Sequence, residues 1–361
     1  MPEPLPTTHV HKGRGAASNP EGRFEHTRHQ AEDDGWMRDI EEVPRPATEV
    51  REERARSVIS HNDSPDVGFD QAINPYRGCE HGCIYCYARP SHAYLNLSPG
   101  LDFETKLYAK TNLADSLRTE LSKRSYVCSP INIGSNTDVY QPIEKRWRLT
   151  RAALELLAEC HHPCTIVTKN ALVERDIDIL APMARQNLVH VFVSVNSLDN
   201  RLAARLEPRA SAPHRRIEAI RTLRQAGIPT GVLVAPIIPA LNERDMEAIL
   251  EQAADAGATS ANYTVVRLPH ELKVLFREWL TVHVPDRAAH VMSLIQQMND
   301  GKDYDSNFRT RMRGQGVFAQ LLRKRFEVAA RKHGLARAWT QELDTSQFMP
   351  PRVASPQGDL F

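Results

Sequence analysis

Asn74-Pro75-Tyr76-Arg77-Gly78-Cys79-Glu80-His81-Gly82-Cys83-Ile84-Tyr85-Cys86-Tyr87 places three cysteines at C-x3-C-x2-C spacing, with an aromatic residue before the last. Three thiolates hold a [4Fe–4S] cluster by three corners, whereas full ligation takes four. The missing fourth leaves one iron open, and an open metal position is where chemistry happens. Gly78 and Gly82 each sit beside a cysteine, where a loop wrapped tightly round a cluster needs a positive φ or a close backbone approach. Backbone N–H groups of such a loop aim at the sulfides and tune the potential. The alternative is a structural zinc site with His81 or His92 as fourth ligand. Zinc sites usually pair cysteines twice at short spacing, and no second pair lies at a suitable distance.

Outward from the loop, the pattern from about Gly68 alternates strand and helix. Strand-like runs are Phe69–Ile73, Ile131–Gly134, Cys164–Thr168, Val189–Val195, Thr230–Pro236 and Ala261–Val266. Between them lie the helix-like runs Leu113–Lys123, Leu149–Glu159, Asp176–Gln186, Arg215–Ala226 and Glu243–Ala256. Asn242, with Asp245 three residues on, marks one helix start, and Gly227 and Gly257 close two helices. Short buried strands separated by amphipathic helices predict βαβ units and a parallel sheet. Six of them predict an α/β fold, a partial (β/α)6 TIM-type barrel. Its chemistry belongs at the C-terminal strand ends, and the cysteine loop follows the first strand.

The chain divides into a lead (1–65), a core (66–300), a basic helical extension (301–340) and a tail (341–361). The lead is rich in Pro, Gly, His and charge. It reads as extended or disordered, with at most a short helix near Glu49–Ile59. Lys12–Ala16 reads first as tail, with folding over the domain as the alternative.

The pattern C-x3-C-x-(aromatic)-C resembles the signature of the radical S-adenosylmethionine (SAM) superfamily. The flanking Asn-Pro-Tyr-Arg-Gly-Cys and Tyr-Cys-Tyr-Ala text is similar to a bacterial branch of that family related to spore photoproduct lyase, a DNA-repair enzyme. The resemblance implies a (β/α)6 core with Cys79, Cys83 and Cys86 on a [4Fe–4S] cluster. It implies that SAM chelates the open iron and that a one-electron reductant drives C–S cleavage to a 5′-deoxyadenosyl radical. It also implies that Lys169 and Ser194 contact SAM and that Tyr85 packs near the adenine.

The strand ends add candidates of their own. Gly134-Ser135-Asn136-Thr137-Asp138 is a polar turn able to present Asp138 to the SAM amino group. Lys169 suits the carboxylate, and Asn196 suits the carboxylate or ribose. Arg209, in Glu207-Pro208-Arg209, is a further cation for the same region. In the lyase branch, tyrosines flanking the last cluster cysteine relay a hydrogen atom from a cysteine near the Asp138 turn. Tyr85 and Tyr87 flank Cys86 here, so Tyr87 is the relay candidate. Ser135 stands where the donor cysteine is expected, and its O–H bond is too strong for donation. Thymine-dimer reversal is therefore not the expected reaction, and Cys128 lies seven residues too early to substitute.

At 361 residues and 25% charged, the chain has room for a large core, and its net charge of +1 exerts no global pull on nucleic acid. It has no long apolar run and no signal-peptide layout, and its cysteines read as thiols. A cytoplasmic protein that crosses no membrane is expected. Cys160-His161-His162-Pro163-Cys164 has a ligand-rich composition, but a helix end, a breaker and a strand start make packing the simpler account. Between residues 306 and 338, Arg309, Arg311, Arg313, Arg323, Lys324, Arg325, Arg331, Lys332 and Arg337 face only Glu327 in opposition, with apolar residues interleaved. An amphipathic helix with a solvated basic face explains this; so does a surface for the phosphate backbone. Gln357-Gly358-Asp359-Leu360-Phe361 resembles the peptide by which bacterial DNA-repair proteins dock on the sliding clamp.

The expected function is therefore a radical SAM enzyme acting on nucleic acid. The alternatives are radical modification of a peptide or small metabolite, and a zinc-bearing nucleic-acid binding module.

Overall fold

A computed structural model describes residues 11–25, 46–337 and 342–351. Its strands in chain order are β1 (Glu49–Glu53), β2 (Ile59–His61), β3 (Gln71–Ile73), β4 (Tyr76–Arg77), β5 (Lys106–Lys110), β6 (Ile131–Ile133), β7 (Cys164–Thr168), β8 (Val189–Ser194), β9 (Thr230–Ile237), β10 (Ser260–Val265) and β11 (Ala336–Arg337). The main sheet runs β11-β10-β9-β8-β7-β6-β3-β2. From β3 to β10 each strand pairs in parallel with the next one of that sheet. This is the expected partial barrel. Antiparallel β2 ends the sheet on the β3 side, and two-residue β11 ends it on the β10 side.

The crossover helices form where the apolar spacing asked for them. Leu113, Leu117 and Leu121 recur every four residues along the helix Leu113–Leu121, and all three are buried. Each such side chain contributes about 1.5–3 kcal/mol relative to exposure. Gly227 and Gly257, with φ of 78° and 95°, end the helices Pro213–Gln225 and Met246–Asp255 as expected. After the barrel, the helices Leu272–His283 and Pro285–Met298 bring Leu272, Leu275, Phe276, Trp279, Val291 and Ile295 into one apolar cluster with Cys83, Ile84 and Tyr85. The cysteine loop is thus backed by helices far along the chain.

Three expectations about the ends change. The helix near Glu49–Ile59 is absent. Residues 49–53 instead form β1, parallel to β5, and β5 in turn pairs antiparallel with β4 at the entry to the cysteine loop. The partner strand, not the local sequence, decides the conformation of this charged segment. The Lys12–Ala16 stretch folds over the domain rather than trailing from it, with Arg14, Gly15 and Ala16 buried. Residues 342–351 are docked rather than loose. Phe348 packs edge-on against Tyr126 and His162, Met349 N–H donates to the Cys160 carbonyl, and Ser122 donates to the Pro351 carbonyl. This docking absorbs the Cys160–Cys164 segment. Cys160 and Cys164 are buried in the main core, and His162 bonds Tyr126. Residues 357–361 lie outside the described residues. Among the described residues, no helix is long and apolar enough to cross a membrane.

Candidate functional site

The cysteine loop leaves β4 and wraps at the C-terminal end of β3. Gly78 and Gly82 have φ of 75° and 68°, in the left-handed region that favours glycine. The space is closed as well. A Cβ on Gly78 would lie 2.6 Å from Leu107 Cδ2 and 2.8 Å from the Phe103 carbonyl oxygen, and one on Gly82 would lie 2.7 Å from Glu104 Oε2. Gly78→Ala is expected to displace Cys79 and cut the iron bound per chain after anaerobic reconstitution at least about 10-fold, since 10–100-fold is usual for lost support around a metal site. Wild-type iron content in that variant would contradict the tight-wrap account.

The loop's backbone is held from three directions. Arg89, fully buried, donates to the carbonyls of Gly82 and Cys83. Thr137 and Gln141, after β6, donate to the Gly78 carbonyl. The backbone N–H of Arg209 donates to the His81 carbonyl, and the loop's own Ile84 N–H donates to the Leu206 carbonyl. Glu104 is the anchor of the set. It pairs with Arg89 and accepts from the N–H groups of Gly15 and Ala16 at 3.0 and 2.9 Å. A Cβ on Gly15 would sit 1.8 Å from the Gly82 carbonyl oxygen, so the N-terminal strap lies directly on the loop.

Whether the thiols suit a cluster is answered by their surroundings. Cys79 and Cys83 are buried, Cys86 is half-buried, and all three are unpaired thiols. Burial pushes the Cys83 thiol up, Glu207 and the other two cysteines push it further, and Lys169 opposes them. Burial, then Cys79, also raises Cys86. Three thiols close enough to repel as thiolates, in a low-dielectric loop, suit a cationic inorganic group that takes their protons' place. Among the described residues, no group of three His, Cys, Asp or Glu converges on a single ion, as a zinc site requires. A cluster makes no such demand, because each thiolate binds its own iron.

Beside the loop, Tyr85, Lys169, Ser194 and Asn196 come together at the strand ends. Lys169 Nζ donates to Ser194 Oγ at 3.0 Å and lies 5.9 Å from the Tyr85 ring centre. Asn196 Nδ2 lies 3.4 Å from the Tyr85 hydroxyl, and its Oδ1 is buried without a partner. The Tyr85 hydroxyl donates to Glu207, which Arg216 holds by an ion pair. Asn242, expected to cap a helix, has another task. Its amide donates to the carbonyls of Asn196 and Pro236, fixing the end of β8 against β9.

Asp138 and Arg209 are spent on the protein itself. Asp138 Oδ1 accepts from Tyr140 N–H and Thr168 Oγ1, and Oδ2 accepts from Lys169 N–H at 2.7 Å. His81 Nδ1 stands 3.3 Å from Asp138 Oδ2, an ion-pair distance at an angle too poor for a hydrogen bond. Burial would raise the Asp138 carboxyl, but His81 and these donors outweigh it and hold it at about 2. Asp138 therefore braces the turn against the loop instead of offering a free carboxylate. Arg209 pairs with Glu80 at 2.8 Å and is not a spare cation. Tyr87 is 46% exposed, its hydroxyl donates to the Ser135 carbonyl, and the Arg267 guanidinium lies 4.4 Å from its ring centre.

Glu104, Arg89, Arg216 and the strap were not legible in the sequence. The partners named above lie from 6 to 89 residues away, with no motif joining them. The one available signal was the adjacency of Gly13 and Gly15 round Arg14 in an otherwise charged lead.

The comparisons agree with this geometry. The sequence model of the Radical SAM superfamily matches residues 73–253. An uncharacterized protein of Mycobacterium tuberculosis is 36% identical over 231 residues, spanning 63% of this chain and 68% of that protein. A protein of Pseudomonas phage M6 named radical SAM Nalpha-GlyT isomerase is 27% identical over 203 residues, 55% of this chain and 40% of its own length. Spore photoproduct lyase complexed with dinucleoside spore photoproduct superposes with a TM-score of 0.58 at 17% identity, over 80% of this chain and 81% of that chain. That last likeness is one of fold.

Proposed function

The chain belongs to the radical SAM superfamily, and from that premise we propose that Cys79, Cys83 and Cys86 hold a [4Fe–4S] cluster whose open iron takes SAM, for radical chemistry on nucleic acid. The observation that carries the cluster assignment is the closed loop with its three thiols at the C-terminal end of β3. When bound and reduced, the cluster supplies the electron that cleaves SAM to a 5′-deoxyadenosyl radical.

The residues around the loop divide the binding of SAM. Lys169, held by Ser194, offers the cation that meets the SAM carboxylate. The unpartnered Asn196 Oδ1 accepts from a ribose hydroxyl, removing the cost of a buried orphan acceptor. Tyr85, fixed by Glu207, gives an aromatic wall near the adenine. Lys169→Met, with iron content unchanged, is expected to raise the KM for SAM about 10- to 100-fold, the worth of a charge-assisted hydrogen bond. An unchanged KM would remove Lys169 from this role. Tyr87, bonded to the Ser135 carbonyl, is the candidate for passing a hydrogen atom. Unaltered turnover and deuterium incorporation in Tyr87→Phe would dismiss it.

Nucleic acid is favoured over peptide or metabolite by the arginines of the basic segment, not by the shared fold. The test is anaerobic reconstitution with a chemical one-electron reductant, followed by visible absorbance and a 5′-deoxyadenosine assay with and without oligonucleotide. A brown protein that cleaves SAM faster with oligonucleotide is expected. A colourless protein holding zinc would end the enzyme reading, and indifference to oligonucleotide would end the substrate reading.

A further inference from the structure

Arg267 comes two residues after β10, at the C-terminal end of that strand and so at the barrel mouth. Its neighbours Val266 and Leu268 are buried in the apolar cluster that backs Cys83, Ile84 and Tyr85. They fix the chain there, and the half-buried Arg267 side chain reaches the cysteine loop. Its guanidinium lies 4.4 Å from the ring centre of Tyr87, the residue directly after Cys86. The Tyr87 hydroxyl in turn donates to the Ser135 carbonyl, in the turn after β6. In the sheet β7, β8 and β9 stand between β6 and β10, so the stack of Tyr87 and Arg267 reaches across the mouth.

Arg267 differs from the other cations of this region in having no counter-group. Arg209 pairs with Glu80, Arg216 pairs with Glu207, and Lys169 bonds Ser194. Among the described residues, the Arg267 guanidinium has neither a hydrogen bond nor an ion pair, only the Tyr87 ring. Stacking occupies one face of a guanidinium and leaves the N–H groups in its plane for another partner. Those groups form a fork that matches two oxygens of a phosphate.

We propose that Arg267 anchors the substrate at the mouth, its guanidinium taking a backbone phosphate of the strand while the Tyr87 ring holds it in place. This rests on nucleic acid being the substrate. A phosphate contact fixes position and register, not base identity. Arg267 therefore sets which nucleotide stands over the cysteine loop beside Tyr87, the candidate for passing a hydrogen atom.

The test uses the full chain, anaerobically reconstituted and without reductant, with a fluorescein-labelled single strand of about a dozen nucleotides. Arg267→Gln is expected to weaken binding about 10- to 100-fold at low salt, the worth of a charged, two-pronged contact. It is also expected to lower the salt slope by about 0.7, the value of one phosphate contact on a single strand. Arg267→Lys keeps the charge without the fork, so it is expected to restore the slope but only part of the affinity. A mere packing role against Tyr87 would not move the slope. AMP at matched phosphate concentration is expected not to displace the strand; displacement would give Arg267 to a free nucleotide and overturn the backbone assignment. Equal affinity and equal slope in wild type and Arg267→Gln overturn the anchor and leave the nucleic-acid reading standing, whereas no binding by the wild-type chain overturns both. Loss of iron in both variants would assign Arg267 to support of the loop and overturn the anchor as well.

Discussion

Cys83→Ala is expected to leave a folded chain that stays colourless after anaerobic reconstitution and forms no 5′-deoxyadenosine above background. The side chain removed is small, and the cluster of Ile84, Tyr85 and the helices behind them remains. What is lost is one of three anchoring corners, and two thiolates do not replace it. Cys160→Ala and Cys164→Ala serve as controls. Both residues lie in the main core, Cys164 opening β7 and Cys160 shortly before it, at the opposite end of that strand from Thr168 and Lys169, and burial raises their thiols to about 11 and 12. These variants are expected to keep full iron content and full SAM cleavage. A brown, SAM-cleaving Cys83→Ala protein would falsify the three-cysteine assignment outright.

The second large effect is on stability. Glu104→Ala leaves Arg89 fully buried without its counter-ion and strips the acceptor from the Gly15 and Ala16 N–H groups. Removing one partner of a buried ion pair costs about 3–5 kcal/mol, because the other charge is left uncompensated. The loss should show in urea denaturation of the protein without cluster, as a lower midpoint. Glu104→Gln, which keeps one acceptor oxygen, is expected to fall between the variant and wild type. A change under about 1 kcal/mol in Glu104→Ala would mean that the strap and Arg89 find other partners.

The two predictions differ in how they became visible. Cys83 could be named from spacing alone, because ligand geometry round a cluster is local and the whole set lies within eight residues. The strands were legible for a similar reason. Cys164–Thr168 and the helix Leu149–Glu159 were bounded as they occur, since apolar periodicity and helix-ending residues act over a few positions. Lys169, Ser194 and Asn196 were found at strand ends, where barrel topology collects side chains from remote segments. Asp138 was identified at its place but not in its state. Its carboxylate is consumed by Thr168, Tyr140 and the Lys169 backbone, and such occupancy has no trace in sequence.

The sequence by itself determined the three-cysteine loop, the glycines that let it wrap, and the order of six strands that sets it at a barrel mouth. Each depends on forces between near neighbours: ligand spacing, allowed φ, and one apolar face per helix or strand. Only the tertiary structure decided that residues 11–16 are a strap closed on that loop, that 49–53 is a strand, and that Glu104 binds both the strap and Arg89. These features rest on pairings across dozens of residues, where a buried carboxylate or an unpaired strand edge takes whichever partner the folded chain brings within hydrogen-bond reach.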